Sequence, residues 1–123
     1  MLQLHTSESY TLDISAKPPS AAITAKTIYG ALRALETLSQ LVTFNFDTRS
    51  YEIRGADWSI KDTPRFPHRG VMIDTSRHFE TIRTIKRVVD SLAYSKLNVL
   101  HWHVSDSQSF PMEFKTRPKV RIT

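Results

Sequence analysis

Two short candidate strands, the apolar run Val71-Met72-Ile73 and the segment Val99 to Val104, flank a segment whose apolar residues recur at helical spacing. This pattern constrains the fold more than any other feature of the chain. Val71-Met72-Ile73 is uninterrupted, as expected of a strand buried on both faces in a parallel sheet. Between the runs, Ile82, Ile85, Val88, Val89, Leu92, Ala93 and Leu97 share one stripe of a helix predicted over Thr81 to Leu97. Glu80 stands near its positive end and Lys96 near its negative end, both favourable to the helix dipole. Asn98 is suited to the left-handed conformation that ends a helix. Two buried strands joined through a helix run parallel, with a right-handed crossover.

The upstream residues read differently. Tyr10 to Ile14 alternates with period two and predicts a strand. Lys17-Pro18-Pro19-Ser20 is a break, and Ala21 to Ala25 a short second strand. Ile28, Ala31, Leu32, Leu35, Leu38, Leu41 and Val42 then mark an amphipathic helix, with Arg33, Glu36 and Gln40 on the other face. Thr43 to Asp47 and Tyr51 to Ile53 read as strands around an Asp47–Ser50 turn. Lys61 to Pro67 is the linker, since its two prolines disfavour helix and central strand alike. The expected organisation is α/β: a small α+β domain over 1–63, then the start of a second domain over 64–123.

Composition narrows the function. No apolar run approaches the ~18 residues of a membrane span, so membrane insertion is not expected. The net charge is +5, with 17 Lys and Arg against 12 Asp and Glu. Its one cluster, Lys115, Arg117, Lys119 and Arg121, reads as a solvated chain end rather than a nucleic-acid or membrane patch. No nucleic-acid partner is expected. The chain has no Cys, which excludes disulfides, thiolate catalysis and Cys-based zinc sites. Its glycines are isolated at 30, 55 and 70, so no phosphate-cradling loop is present. The first residues do not form a signal peptide.

In parallel α/β sheets, ligands bind at the carboxyl ends of the strands. This rule selects Asp74-Thr75-Ser76-Arg77-His78 after the first apolar strand and His101 to Asp106 at the end of the second. Arg77 offers a fork of donors and Asp106 offers acceptors. Together they suit a polyhydroxylated ligand; equally, they suit a structural ion pair at the rim. Spacing alone leaves those two readings even. His101 and His103 share one side of a strand and could ligate a metal, but a pair hydrogen-bonded within the sheet is the commoner outcome. No metal and no cofactor is therefore expected. His5, His68 and His78 are read as structural or exposed. For Trp102 and Phe110 core packing is the default over sugar stacking. Asp74, Asp106 and Glu113 are the acids near the predicted rim, and no adjacent Asp-Glu pair occurs anywhere.

The blocks Pro64-Arg65-Phe66-Pro67-His68-Arg69-Gly70, Asp74-Thr75-Ser76-Arg77-His78-Phe79, Ala93 to Asp106 and Ser109-Phe110-Pro111 closely resemble glycoside hydrolase family 20, the β-N-acetylhexosaminidases. Ala22 to Thr27 and Gly30 to Val42 resemble that family's small N-terminal α/β domain. The resemblance covers about residues 8 to 114. It implies a small domain followed by a (β/α)8 barrel, of which this chain would hold only the first β-α-β unit. Such a barrel takes about 250 residues. It implies a glycosidase removing terminal N-acetylglucosamine or N-acetylgalactosamine by substrate-assisted, retaining hydrolysis. By the same resemblance Arg77 binds hydroxyls of the terminal sugar, and Asp106 supports that sugar and a neighbouring histidine. The family's Asp-Glu pair, which orients the acetamido group and supplies the acid, has no counterpart here. The chain is thus expected to be an N-terminal fragment, inactive alone, with no catalytic residue of its own. The alternative expectation is a non-catalytic module that binds sugars or complements a partner. A lysosomal or extracellular setting, and dimerisation of full-length relatives, are what the resemblance allows.

Overall fold

The computed structural model describes residues 3–117. The chain divides into two compact units, Met1–Pro67 and His68–Thr123. Among the described residues no helix is long and apolar enough to cross a membrane.

The first unit is built on a three-stranded antiparallel sheet of β1 (Tyr10–Ala16), β2 (Pro19–Ala25) and β5 (Trp58–Asp62), in the order β2-β1-β5. Helix α1 (Ile28–Leu41) packs on β1 and β2, and a hairpin of β3 (Thr43–Asn45) and β4 (Ser50–Glu52) follows it. Tyr10, Leu12 and Ile14 alternate inward from the central strand and, with Ala34, form the buried cluster. The α1 N-cap is Thr27, whose hydroxyl accepts from the Gly30 N–H at 3.2 Å.

Two parts of the sequence reading need correction here. Strand β5 was not anticipated, because Lys61 and Asp62 were assigned to the linker. Pairing decides it: Ile60 lies opposite Leu12, and the Asp62 carboxylate accepts from the Tyr10 hydroxyl at 2.9 Å. The helix also presents a shifted face: Leu38 and Leu41 of the expected stripe pack against the core, but its first half does not follow that stripe. Gly30 and Ala34 are buried, whereas Ile28, Leu32 and Leu35 are exposed. The cause is close approach at Gly30, where an added Cβ would lie 2.4 Å from the Ser9 carbonyl oxygen. That contact turns Arg33 inward, and its Nε donates to buried Glu8 at 2.6 Å. Thr37 meets the Tyr10 hydroxyl at 2.6 Å on the same side.

The second unit is a strand–helix–strand: β6 (Gly70–Asp74), α2 (Ile82–Tyr94) and β7 (Val99–His103). The strands pair in parallel, Gly70 opposite Val99 through Asp74 opposite His103. Thr81 caps α2, its hydroxyl accepting from the Thr84 N–H at 3.1 Å. The helix ends earlier than predicted, so Glu80 precedes the cap and Lys96 lies beyond the last turn. Lys96, not Asn98, takes the left-handed conformation, with φ 54°. Its N–H donates to the Ala93 carbonyl, and the Leu97 N–H to the Leu92 carbonyl, both orphan acceptors of the last turn. Asn98 instead ties the strands: its Oδ1 accepts from Arg69 N–H at 3.0 Å, and its own N–H donates to the Arg69 carbonyl.

The expectation that β6 is buried on both faces is not met in this chain. Leu92 is buried and Ile85 and Val88 half-buried, but Val71, Met72 and Trp102 are exposed. Two strands and one helix do not supply enough surface to cover both faces of the sheet.

Candidate functional site

The two rim loops repeat one local device. Asp74, the last residue of β6, accepts on Oδ1 from the N–H groups of Ser76 at 2.9 Å and Arg77 at 3.0 Å. Asp106, three residues past the end of β7, accepts on Oδ1 from Gln108 at 2.7 Å and Ser109 at 2.8 Å. An Asp side chain that bonds the backbone two and three residues on shapes a tight turn. Each carboxylate thereby fixes the loop that follows it.

These bonds act on charge as well as shape. Asp74 is held below the ordinary carboxylate range chiefly by the Arg77 N–H, with smaller help from Ser76, His103 and the Arg77 charge, against desolvation. Asp106 is lowered chiefly by the Gln108 N–H, with Arg77 and Ser109 adding to it, again against desolvation. Both groups are acceptor-only carboxylates at neutral pH.

The second oxygen of Asp106, Oδ2, accepts from Arg77 Nε at 2.6 Å. The Asp106 side chain is nearly buried, 8% exposed, while that of Arg77 is 57% exposed. The pair is therefore an anchored acceptor carrying a donor fork that reaches toward solvent. The structure brings together the two residues that the strand-end rule selected.

The loops are also tied to each other. The Ser76 hydroxyl donates to the Ser109 carbonyl at 3.2 Å, and the same carbonyl accepts from the Asp106 N–H at 2.9 Å. Thr75 N–H donates to the His103 carbonyl, extending the parallel ladder one step beyond β6. Trp102 is not core: it is 46% exposed, and its indole N–H donates to the Thr75 hydroxyl at 2.8 Å. Ser76 and Ser109 fall within the blocks read from the sequence, without a role assigned to either. The signal available was the spacing Asp-x-Ser after Asp74 and Asp-x-x-Ser after Asp106, a turn signature at both strand ends.

His101 and His103 pair opposite Met72 and Asp74 and share a face by strand alternation. Among the described residues no group of three or more His, Asp or Glu could hold a metal. His5, His68 and His78 are exposed, and Phe110 is half-buried with its ring 6.0 Å from that of Phe114. Of the basic tail, Lys115 and Arg117 are exposed, while Lys119 and Arg121 lie outside the described residues. A groove of about 490 Å³ in the first unit, between Tyr10, Thr24, Lys26 and Lys61, includes none of the candidate residues.

Residues 66–122 match the model of the glycosyl hydrolase family 20 catalytic domain, and residues 1–41 match a model described as beta-acetyl hexosaminidase like. The chain belongs to glycosyl hydrolase family 20. It is 52% identical to beta-hexosaminidase 1 of Arabidopsis thaliana over 97% of its own length and 23% of that protein's. Among solved family 20 structures, the chitobiase of Flavobacterium johnsoniae superposes with a TM-score of 0.81 at 41% identity. That match covers 97% of this chain and 17% of the chitobiase. A mutant Streptomyces plicatus beta-hexosaminidase, solved in complex with its product GlcNAc, matches with a TM-score of 0.73 at 31% identity, over 98% of this chain and 24% of that one. The chain spans about a fifth of the length of the curated relatives it matches.

Proposed function

We propose that this chain supplies the hydroxyl-holding half of a β-N-acetylhexosaminidase sugar site. The observation that carries the reading is the Arg77–Asp106 pair, seated after the carboxyl ends of two parallel strands with the guanidinium more than half exposed. A sugar hydroxyl both donates and accepts, so one hydroxyl can accept from Arg77 while donating to an Asp106 oxygen. In this reading residues 1–63 are the family's small domain, and 64–123 begin a (β/α)8 barrel whose first strand–helix–strand is β6-α2-β7. The ligand is a terminal N-acetylglucosamine or N-acetylgalactosamine, in a lysosomal or extracellular setting.

Arg77 and Asp106 bind; they do not cleave. The 123 residues contain no adjacent Asp-Glu pair to orient an acetamido group and protonate a leaving oxygen. Taken by themselves, they are expected to leave a chromogenic N-acetylglucosaminide intact. Measurable turnover by the purified 123-residue chain would overturn this division of labour. Binding is the positive test. A sugar of about fifteen non-hydrogen atoms, at about −0.3 kcal/mol each, gives a Kd of about a millimolar. NMR titration with N-acetylglucosamine should perturb the Arg77 and Asp106 resonances saturably. No perturbation at either residue would reject the sugar site.

A second reading, a module that complements a partner, is favoured by one observation. Met72, Ile82, Val89 and Trp102 are exposed apolar side chains within one small unit. Their coverage would come from further strand–helix units of a family 20 barrel. Mixing the chain with a separately produced remainder of such a barrel tests this, with recovered glycosidase activity as the readout.

A further inference from the structure

We infer that Ser76 is a positioning residue, whose buried hydroxyl joins the two rim loops so that Arg77 and Asp106 stand at bonding distance before any sugar arrives. The inference deepens the sugar-site reading and rests on it only for the ligand. Five bonds carry it. Asp74 folds the first loop through Ser76 N–H and Arg77 N–H. Asp106 folds the second through Gln108 N–H and Ser109 N–H. One further bond, Ser76 hydroxyl to Ser109 carbonyl, links the two loops.

With that bond the residues form a closed ring. It runs from Asp106 Oδ2 to Arg77 Nε, along the chain to Ser76, through its hydroxyl to the Ser109 carbonyl, and back to the Asp106 N–H. Open the ring at Ser76 and, past the Thr75 bonds to His103 and Trp102 at the strand ends, the bond of Arg77 to Asp106 is what remains between the loops, and the Arg77 side chain is 57% exposed. A long, exposed side chain gains little from such a pair, because ordering its rotamers offsets the attraction. Ser76 itself is 8% exposed, so its hydroxyl is sheltered from the water that competes for the Ser109 carbonyl. The Arg77 donors on the first loop and the Asp106 acceptors on the second are then preset, which lowers the cost of ordering them around a ligand.

The geometry makes an asymmetric demand on the two serines. Ser76 acts through its side chain, whereas Ser109 acts through its backbone N–H and carbonyl. Ser76→Ala should therefore loosen the pair and Ser109→Ala should not. In the isotopically labelled 123-residue chain, the expected result for Ser76→Ala is at least about tenfold faster solvent exchange of the Arg77 Nε proton and an upward shift of the Asp106 carboxyl titration. Ser109→Ala should leave both as in the parent, and Ser76→Thr, which keeps a hydroxyl, should restore the parental values. Far-ultraviolet circular dichroism and the Asn98 and Arg69 amide signals report whether the unit stays folded. Parental exchange and titration in Ser76→Ala would overturn the inference, as would an equal loosening in Ser109→Ala. Neither readout uses sugar, so the inference is decided even if N-acetylglucosamine fails to bind and the sugar-site reading falls. Where the sugar does bind, its Kd should rise several-fold in Ser76→Ala and stay unchanged in Ser109→Ala.

Discussion

Arg77 Nε and Asp106 Oδ2 stand 2.6 Å apart although 29 positions separate the two residues in the chain. The contact exists because β6 and β7 are adjacent and parallel, so the loops after their carboxyl ends emerge side by side. Asp106 spends one oxygen on its own loop and the other on Arg77. The charge pair is thus a consequence of strand order, and its strength depends on both loops holding their shape.

Arg77→Lys should weaken N-acetylglucosamine binding by roughly tenfold or more, the loss expected for a charge-assisted hydrogen bond. A lysine keeps the positive charge but has no planar fork, so it cannot bond Asp106 and a sugar hydroxyl with fixed geometry. Arg77→Ala should abolish saturable binding. The same titration separates the cases: equal affinity for the parent and the lysine variant would mean that charge alone matters.

Acid should open the rim. Asp74 and Asp106 both titrate below their ordinary value in the folded chain. A depressed folded pKa means that the unfolded chain binds protons first, so the contribution is complete above about pH 5. It is lost as pH falls from about 4 through the folded values. The denaturation midpoint of the second unit should hold level from pH 7 to about pH 5 and fall below about pH 4. Asp106→Asn should flatten part of that fall. An unchanged acid profile in this variant would remove Asp106 from the cause.

Much of this was legible in the sequence, and the limits have physical reasons. The β6-α2-β7 unit could be read because its periodicities are simple and local. Arg77 and Asp106 could be chosen because the strand-end rule needs only strand order. Strand β5 was missed because five residues with two exposed polar positions carry little pattern of their own; partnership with Leu12 and Tyr10 makes the strand. The α1 face was misjudged because large apolar residues were weighted over small ones. Gly30 and Ala34 are what allow the helix to approach the sheet, and hydrophobic spacing gives glycine no weight. Ser76 falls in the selected block without a role, because a serine next to an arginine carries no signal until the second loop is placed beside it.

The α1 face gives a test in which periodicity and packing disagree. Gly30→Ala raises intrinsic helix propensity by about 1 kcal/mol. Its new Cβ, however, would lie 2.4 Å from the Ser9 carbonyl oxygen and 3.1 Å from Ala25 Cβ. Overpacking of this kind costs about 1–3 kcal/mol, so the net change should be destabilising. Leu35→Ala, at a position 51% exposed, should cost less than Leu12→Ala at the fully buried centre, where about 2–5 kcal/mol is expected. Urea unfolding of the three variants checks the order. A large loss at Leu35 with none at Gly30 would restore the face that spacing alone predicts.

The end of α2 offers a gain rather than a loss. Lys96 holds φ 54° so that its N–H and that of Leu97 can reach the carbonyls of Ala93 and Leu92. A residue with a Cβ pays about 1–2 kcal/mol for this conformation, and glycine does not. Glycine also has more freedom to lose on folding, by roughly 0.5–1 kcal/mol. The Lys96 carbonyl, which accepts from Arg69 Nε at 3.0 Å, is backbone and survives the change. Lys96→Gly should therefore stabilise the second unit by up to about 1 kcal/mol. Thermal unfolding of the two chains measures it, and Asn98→Gly is the control. Asn98 was the residue expected to end the helix, but its side chain bonds Arg69 N–H across the strands. Its replacement should destabilise, so the two glycine substitutions should move the unfolding midpoint in opposite directions.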